Sequence, residues 1–173
     1  MHGSSKEVLA ALEGQELDVA VLCPPPRLSG AFEVTHRFTD DFTLIVPAKL
    51  PLALDMSGPV NPAVIARAMQ DQRWLLPDLR SNTGRGLRSW LEEVRLPVRT
   101  AMELDSFDLI INLIALGVGV SFVPHRALAL YARRHKVKRV NTTPRFRREL
   151  VVVTSQQAPK REHIQQFVDC ILF

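Results

Sequence analysis

The sequence predicts an α/β fold on three observations. Short runs rich in Val, Ile and Leu alternate with stretches of helical periodicity along the chain. The runs at 17–22 and 118–123 are apolar at nearly every position, as in strands covered on both faces. Prolines or glycines close most of these segments, so each is punctuated by residues that end strands and helices.

The elements follow in order. Ser4 and Glu7 form a capping box, Val8, Leu9 and Leu12 make an apolar stripe, and Gly14 suits the left-handed residue past a helix end, which predicts a helix over 5–13. Residues 17–22 read as a buried strand that ends at Cys23 and the three prolines from Pro24. A helix feeding such a strand implies a parallel sheet. Residues 32–38 alternate in character, and 42–46 form a further strand stopped by Pro47. The passage 50–62, with three prolines and a glycine, is turn-rich, and 62–69 is a short helix. Trp74, Leu75 and Leu76 form a brief strand closed by Pro77. The stretch SNTGRGLRSWLEEV starts with capping residues and places Leu87, Trp90, Leu91 and Val94 at helical spacing. A strand at 99–103 leads into LDSFDLIINLIALG, a helix that Asp105 is expected to cap, with Asp108 as the acid of its first turn. Gly117 terminates that helix, Gly119 permits close backbone approach, and 118–123 is a strand ended by Pro124. Then come a helix at 126–134, an edge strand at 137–141, a long strand at 147–154 and an amphipathic helix at 161–171.

Composition narrows the function classes. A chain of 173 residues, 46% hydrophobic, suffices for one good-sized core or two small lobes. It holds no membrane-length apolar run and no signal-peptide pattern at its start, so the expected compartment is the cytoplasm, with no membrane partner. Cys23 and Cys170 fit no paired motif and are expected as reduced thiols, and no histidine lies at ligand spacing from another His or Cys, so neither a metal nor a cofactor is expected. The acid pairs Asp40–Asp41 and Glu92–Glu93 are adjacent in sequence, no triad or nucleophile elbow appears, and the glycines of ALGVGVSF precede a strand instead of following one, which argues against an enzyme. Charge is uneven: residues 1–108 carry 11 basic and 15 acidic residues, net −4, and residues 109–173 carry 11 and 3, net +8. No acid falls between Leu109 and Arg148. Without interleaved aromatics this block is expected to be a solvated helix end and an exposed strand face, binding DNA only weakly and without sequence preference.

Three segments carry a family resemblance: WLLPDLRSNTGRGLRSWLEE, MELDSFDLIINLIALGVGVSFVPHRAL and RRELVVVTSQQ, with LEGQELDVAVL and DDFTLIVPAKLPLAL upstream. In order and over almost the whole chain they resemble the effector-binding (substrate-binding) domain of LysR-type transcriptional regulators. The resemblance implies a two-lobed, type 2 periplasmic-binding-protein-like fold with a small, anionic effector held between the lobes. It implies an incomplete lobe I from 1–46 and 147–173, lobe II from 47–146, chain crossings near 46–49 and 145–150, and a hinge at Val46, Pro47 and Ala48. Against the family pattern the chain is expected to be N-terminally truncated. It would lack the helix-turn-helix through which such regulators bind DNA and the first part of lobe I, leaving the usual homo-oligomer interface incomplete. A free-standing small-molecule binding protein, or a dimerising inhibitor of a full-length regulator, is the alternative.

Helix N-termini seat anions, and the resemblance places one effector seat at Arg80, Ser81, Asn82 and Thr83. Capping by Ser81 or Asn82 explains the same residues equally well. Cys23 and Pro24 end a strand that the family topology points into the cleft, where an inert buried thiol is the plainer account. Ser106 opens the helix before ALGVGVSFVP and completes the expected site. Trp74 and Trp90 are expected to pack in the core.

Overall fold

The computed structural model describes residues 3–52, 54–55, 57–157 and 162–171. The chain forms two compact units: Met1–Thr39 with Glu149–Phe173, and Asp40–Arg148. The chain therefore passes from one unit to the other at 39–40 and again at 148–149. Val46, Pro47 and Ala48 belong to the second unit.

In the first unit, helix α1 (Ser5–Glu13) carries the predicted capping box, with both reciprocal hydrogen bonds between Ser4 and Glu7 formed. Gly14 has φ −74° and is not left-handed; Gln15, at φ 58°, takes that conformation instead. Strand β1 (Val19–Leu22) pairs antiparallel with β7 (Arg147–Ser155), with Val19 opposite Thr154 and Leu22 opposite Val151. The expected parallel pairing does not occur, because β1's partner is the late strand that returns to this unit. Nor is β1 buried throughout: Ala20 and Leu22 join Leu12, Val151 and Val153 in the core, whereas Val21 is exposed. The closing helix α6 spans Glu162–Ile171; the expected start at Arg161 lies outside the described residues.

Strand β2 is continuous over Phe32–Pro47, where the sequence suggested two strands parted by Asp40 and Asp41. Acids are poor strand residues, but each of these pairs with an arginine near the start of β7, which offsets their charge in mid-strand. In the second unit, β2 pairs antiparallel with β5 (Ser121–Pro124) and with β6 (Val137–Val140). Strands β3 (Trp74–Pro77) and β4 (Thr100–Leu104) pair in parallel, and a bridge from Trp74 to Val120 ties β3 to the approach to β5. Alternate residues of these strands enter two different cores. Leu44, Val46, Trp74, Leu76 and Phe122 belong to one, while Ile45, Leu75 and Val123 belong to the other. Burial on both faces accounts for the unbroken apolar runs.

Five helical segments complete this unit: α2 (Pro62–Ala68), α3 (Asn82–Glu93), α4 (Phe107–Ala115), α5 (His125–Leu130) and a 3-10 turn over Arg134–Lys136. The single helix expected at 126–134 is thus broken, and Tyr131 has extended backbone. Trp74 stacks on Phe122 and Trp90 meets the same ring edge-on, so both tryptophans are core residues as expected. The two tight glycines differ in cause. Gly117 ends α4 at φ 88°, whereas a Cβ on Gly119 would lie 2.3 Å from the Arg73 carbonyl oxygen.

Candidate functional site

The N-terminus of α3 is built by the loop that leaves β3. Ser81 is the N-cap: its Oγ accepts the Gly84 amide at 2.9 Å and donates to the Asp78 carbonyl at 2.7 Å. The loop lies so close to the first turn that a Cβ on Gly84 would sit 2.1 Å from the Asp78 carbonyl oxygen. Gly84 is therefore a packing requirement that sequence reading missed. The Asn82 side-chain oxygen accepts from the Arg85 guanidinium, which also reaches the Arg80 carbonyl. Arg80 is largely exposed, and its guanidinium folds back on Asp78, with Nε to Oδ1 at 3.1 Å and Nη2 to Oδ2 at 3.3 Å. That hydrogen bond, helped by the Arg80 backbone amide, lowers the Asp78 carboxyl below its ordinary range, and the Asp78 side chain in turn raises Arg80. Arg80 thus offers an anion less net charge than its sequence position suggests.

Thr83 is buried, and its Oγ1 accepts from Arg148 Nη1 at 3.3 Å. The same guanidinium donates from Nη2 to Asp40 Oδ2 at 3.0 Å and lies 5.3 Å from the centroids of both Phe42 and Phe107. Asp40 Oδ1 and Arg148 Nε are buried and have no partner among the described residues. A charged pair with spare hydrogen-bonding capacity, its guanidinium lying over two rings, thus stands against the first turn of α3. The sequence predicts Arg148 on a solvated strand face. The structure corrects this: its side chain is only 17% exposed. A signal existed, since two consecutive acids on one strand match two consecutive arginines on another.

Ser106, not Asp105, is the N-cap of α4, and its Oγ accepts the Leu109 amide at 3.4 Å. The next residue, Phe107, is one of the rings over Arg148. The structure therefore groups Arg80, Ser81, Asn82 and Thr83 at one helix terminus, and Phe107 links that terminus to the turn holding Ser106. Cys23 and Pro24 lie in the first unit, where the Cys23 carbonyl accepts from Ser5 Oγ at 3.1 Å and the residue is half-buried. Val46 and Pro47 are paired in the β2–β6 ladder opposite Lys138 and Val137, and the Ala48 amide donates to the Lys136 carbonyl.

Cavities among the described residues of the second unit include the following two. One, of about 550 Å³, has walls that include Leu76, Leu91, Leu96 and Val98. The other, of about 390 Å³, lies between α5 and β6. Neither is lined by Arg80, Ser81, Asn82, Thr83 or Ser106. Among the described residues no group of three or more His, Cys, Asp or Glu side chains could hold a metal, and no helix is long and apolar enough to cross a membrane.

Comparison with known proteins bears on the whole chain. The model of the LysR substrate binding domain matches residues 1–172. No curated protein matches by sequence. Among solved structures, the effector binding domain of QuiR in complex with shikimate is 16% identical, with a TM-score of 0.72 over 96% of this chain and 76% of that one. The regulatory domain of CcmR from Synechocystis PCC6803, in complex with 2-PG, is 18% identical, with a TM-score of 0.72 over 98% of this chain and 78% of that one. CbnR, a LysR family transcriptional regulator, is 14% identical, with a TM-score of 0.74 over 99% of this chain and 57% of that one, so the chain spans little more than half of CbnR. At such identities the likeness is one of fold, and that fold is the periplasmic-binding-protein-like fold of LysR substrate-binding domains. With the family model matched from end to end, the chain belongs to the LysR substrate-binding domain family.

Proposed function

We propose that this chain is the effector-sensing part of a cytoplasmic LysR-type transcriptional regulator and that it binds a small anionic molecule at the N-terminus of α3. The observation that carries the reading is the Thr83–Arg148–Asp40 cluster. It sets a hydroxyl, two aromatic rings and a guanidinium whose Nε has no partner among the described residues against the first turn of α3, at the positive end of the helix dipole. The solved structures of related fold in complex with shikimate and with 2-PG support a small-molecule effector. Sensing follows as a population shift: an effector that binds one state of the domain better than another favours that state by its difference in affinity. The resulting free energy then passes to a DNA-binding domain as coupling.

Calorimetry with shikimate, 2-PG and benzoate tests the seat. We expect T83A to weaken binding by no more than the loss of one hydrogen bond, about 1 kcal/mol. Arg80→Glu places a second acid beside Asp78 and should weaken it further, about tenfold. An acid that binds the parent and both variants equally well would show that these residues only cap and pack the helix.

A further inference from the structure

The cavity between α5 and β6 is not used by the effector reading, and its walls are sorted by chemistry. Leu128 and Val137 are buried and apolar, with Ala129 beside them, while His125, Arg134 and Arg139 supply nitrogen donors. None of its lining residues is an acid. Its volume, about 390 Å³, falls within the span of small-molecule sites, about 300–1,000 Å³.

The charge of these walls is incompletely answered within the fold. Asp41, a nearby acid, is taken up by Arg145 and Arg147. Arg134 donates to the Ala129 carbonyl. The Arg139 residue pairs with Ile45 through the strand ladder, but its guanidinium has no hydrogen-bond, ion-pair or ring partner among the described residues. The groups around His125 point the same way. Burial lowers its pKa most, followed by the charge of Arg139, with Arg145 adding to the lowering while Asp41 and Asp40 of β2 oppose it. Positive potential thus outweighs negative at this imidazole, and it is concave, partly apolar surface that carries it.

We propose that this cavity binds a small organic anion, its carboxylate or phosphate held by Arg139 with Arg134 and His125 as further donors, and its apolar body resting on Leu128 and Val137. Neither charge alone nor apolar area alone fits the lining. An inorganic ion would leave the aliphatic wall uncovered, and a neutral hydrocarbon would bury Arg139 without a counter-charge. The site is separate from the α3 terminus, since none of the residues there lines it, so it stands or falls independently of the effector reading.

Histidine ring NMR on the full chain provides the test, with the His125 signals assigned by H125Q and with phenyl phosphate and inorganic phosphate as probes. Phenyl phosphate should move the His125 signals saturably and raise the pH at which they titrate, because an adjacent anion favours the imidazolium. R139E should weaken this binding at least tenfold and R139Q at least threefold, so that the proposal remains testable if the reversal disturbs folding. Lys138 is the neighbouring strand residue, points to the other face of β6 and donates to the Leu50 carbonyl, so K138E should change binding less than twofold. Inorganic phosphate should bind at least fivefold more weakly than phenyl phosphate. Unmoved His125 signals, an R139E or R139Q variant that binds like the parent, a K138E loss as large as that of R139E, or equal binding of the two probes would each overturn the proposal.

Discussion

Two ion pairs on the same two neighbouring strands differ in almost every respect except their chemistry. Asp41 takes the Arg147 guanidinium on both oxygens and has Arg145 within 3.8 Å, with Arg147 59% exposed. One residue along, Asp40, with only 1% of its side chain exposed, holds Arg148 over two phenylalanine rings and against Thr83 of α3. Successive strand residues face opposite ways, so a pair of adjacent acids and a pair of adjacent arginines yield one solvated contact and one enclosed contact. Burial, not charge, decides which contact matters. In water the attraction is screened and the side chains lose entropy to form it, whereas in the interior a broken pair leaves a charge with no solvent to answer it.

The largest effect is therefore expected at Arg148. Arg148→Met keeps much of the side-chain volume but strands the Asp40 carboxylate, and should lower unfolding free energy by about 3–5 kcal/mol in urea titrations. The companion double variant D40L/R148M removes both charges and should recover most of that loss, because apolar replacement of a whole buried pair is near neutral. A single variant that costs less than about 1 kcal/mol would mean that the enclosed pair behaves like the exposed one, and the contrast would vanish.

A smaller effect separates the pairs by their surroundings. Phe107 meets Phe42 edge-on, with centroids 5.7 Å apart, and lies beneath the Arg148 guanidinium. F107L should cost about 1–2 kcal/mol through lost ring contact and cation–π attraction, measured by thermal unfolding at several salt concentrations. The cost should survive molar salt because the contact is enclosed. A loss that disappears in salt would place Phe107 among surface contacts.

How much of this was legible in sequence depended on whether the cause was local. The capping box at Ser4 and Glu7 and the end of α4 at Gly117 follow from neighbours in the chain, and the structure has both, whereas the buried strand expected over 118–123 begins only at Ser121 and takes in Pro124. The antiparallel partner of β1 could not be read from Val19–Leu22, since it is supplied by β7. The continuity of β2 through Asp40 and Asp41 likewise depends on arginines more than a hundred positions later, against a local signal that argues for a break. At the α3 terminus, the helix start and its cap were readable, but Gly84's role needed the Asp78 loop folded against it, and Thr83's role needed Arg148. The family resemblance reached the fold because it sums many weak local signals; it could not supply a contact such as Arg148 to Asp40, which depends on this chain's own side chains.

The smallest effect belongs to Asp41, and it is the one that pH and salt should erase. The Arg147 hydrogen bond lowers the Asp41 carboxyl below its ordinary range, burial opposes it as the next largest cause, and the charges of Arg147, Arg145 and His125 add smaller contributions to the lowering. A carboxyl whose pKa is lower folded than unfolded stabilises the fold above the unfolded value, about 3.9, and that contribution is lost as pH falls through the lower folded value. Asp41→Asn should therefore cost less than about 1 kcal/mol at neutral pH and low salt. The difference from the parent should shrink steadily in titrations carried from pH 4 downward, and should fade in molar salt at pH 7, where the Debye length is about 3 Å. Arg148→Met should keep its cost in the same salt. If D41N proved as damaging as Arg148→Met and as indifferent to salt, Asp41 would be a buried anchor of the two strands, and exposure would no longer separate the two pairs.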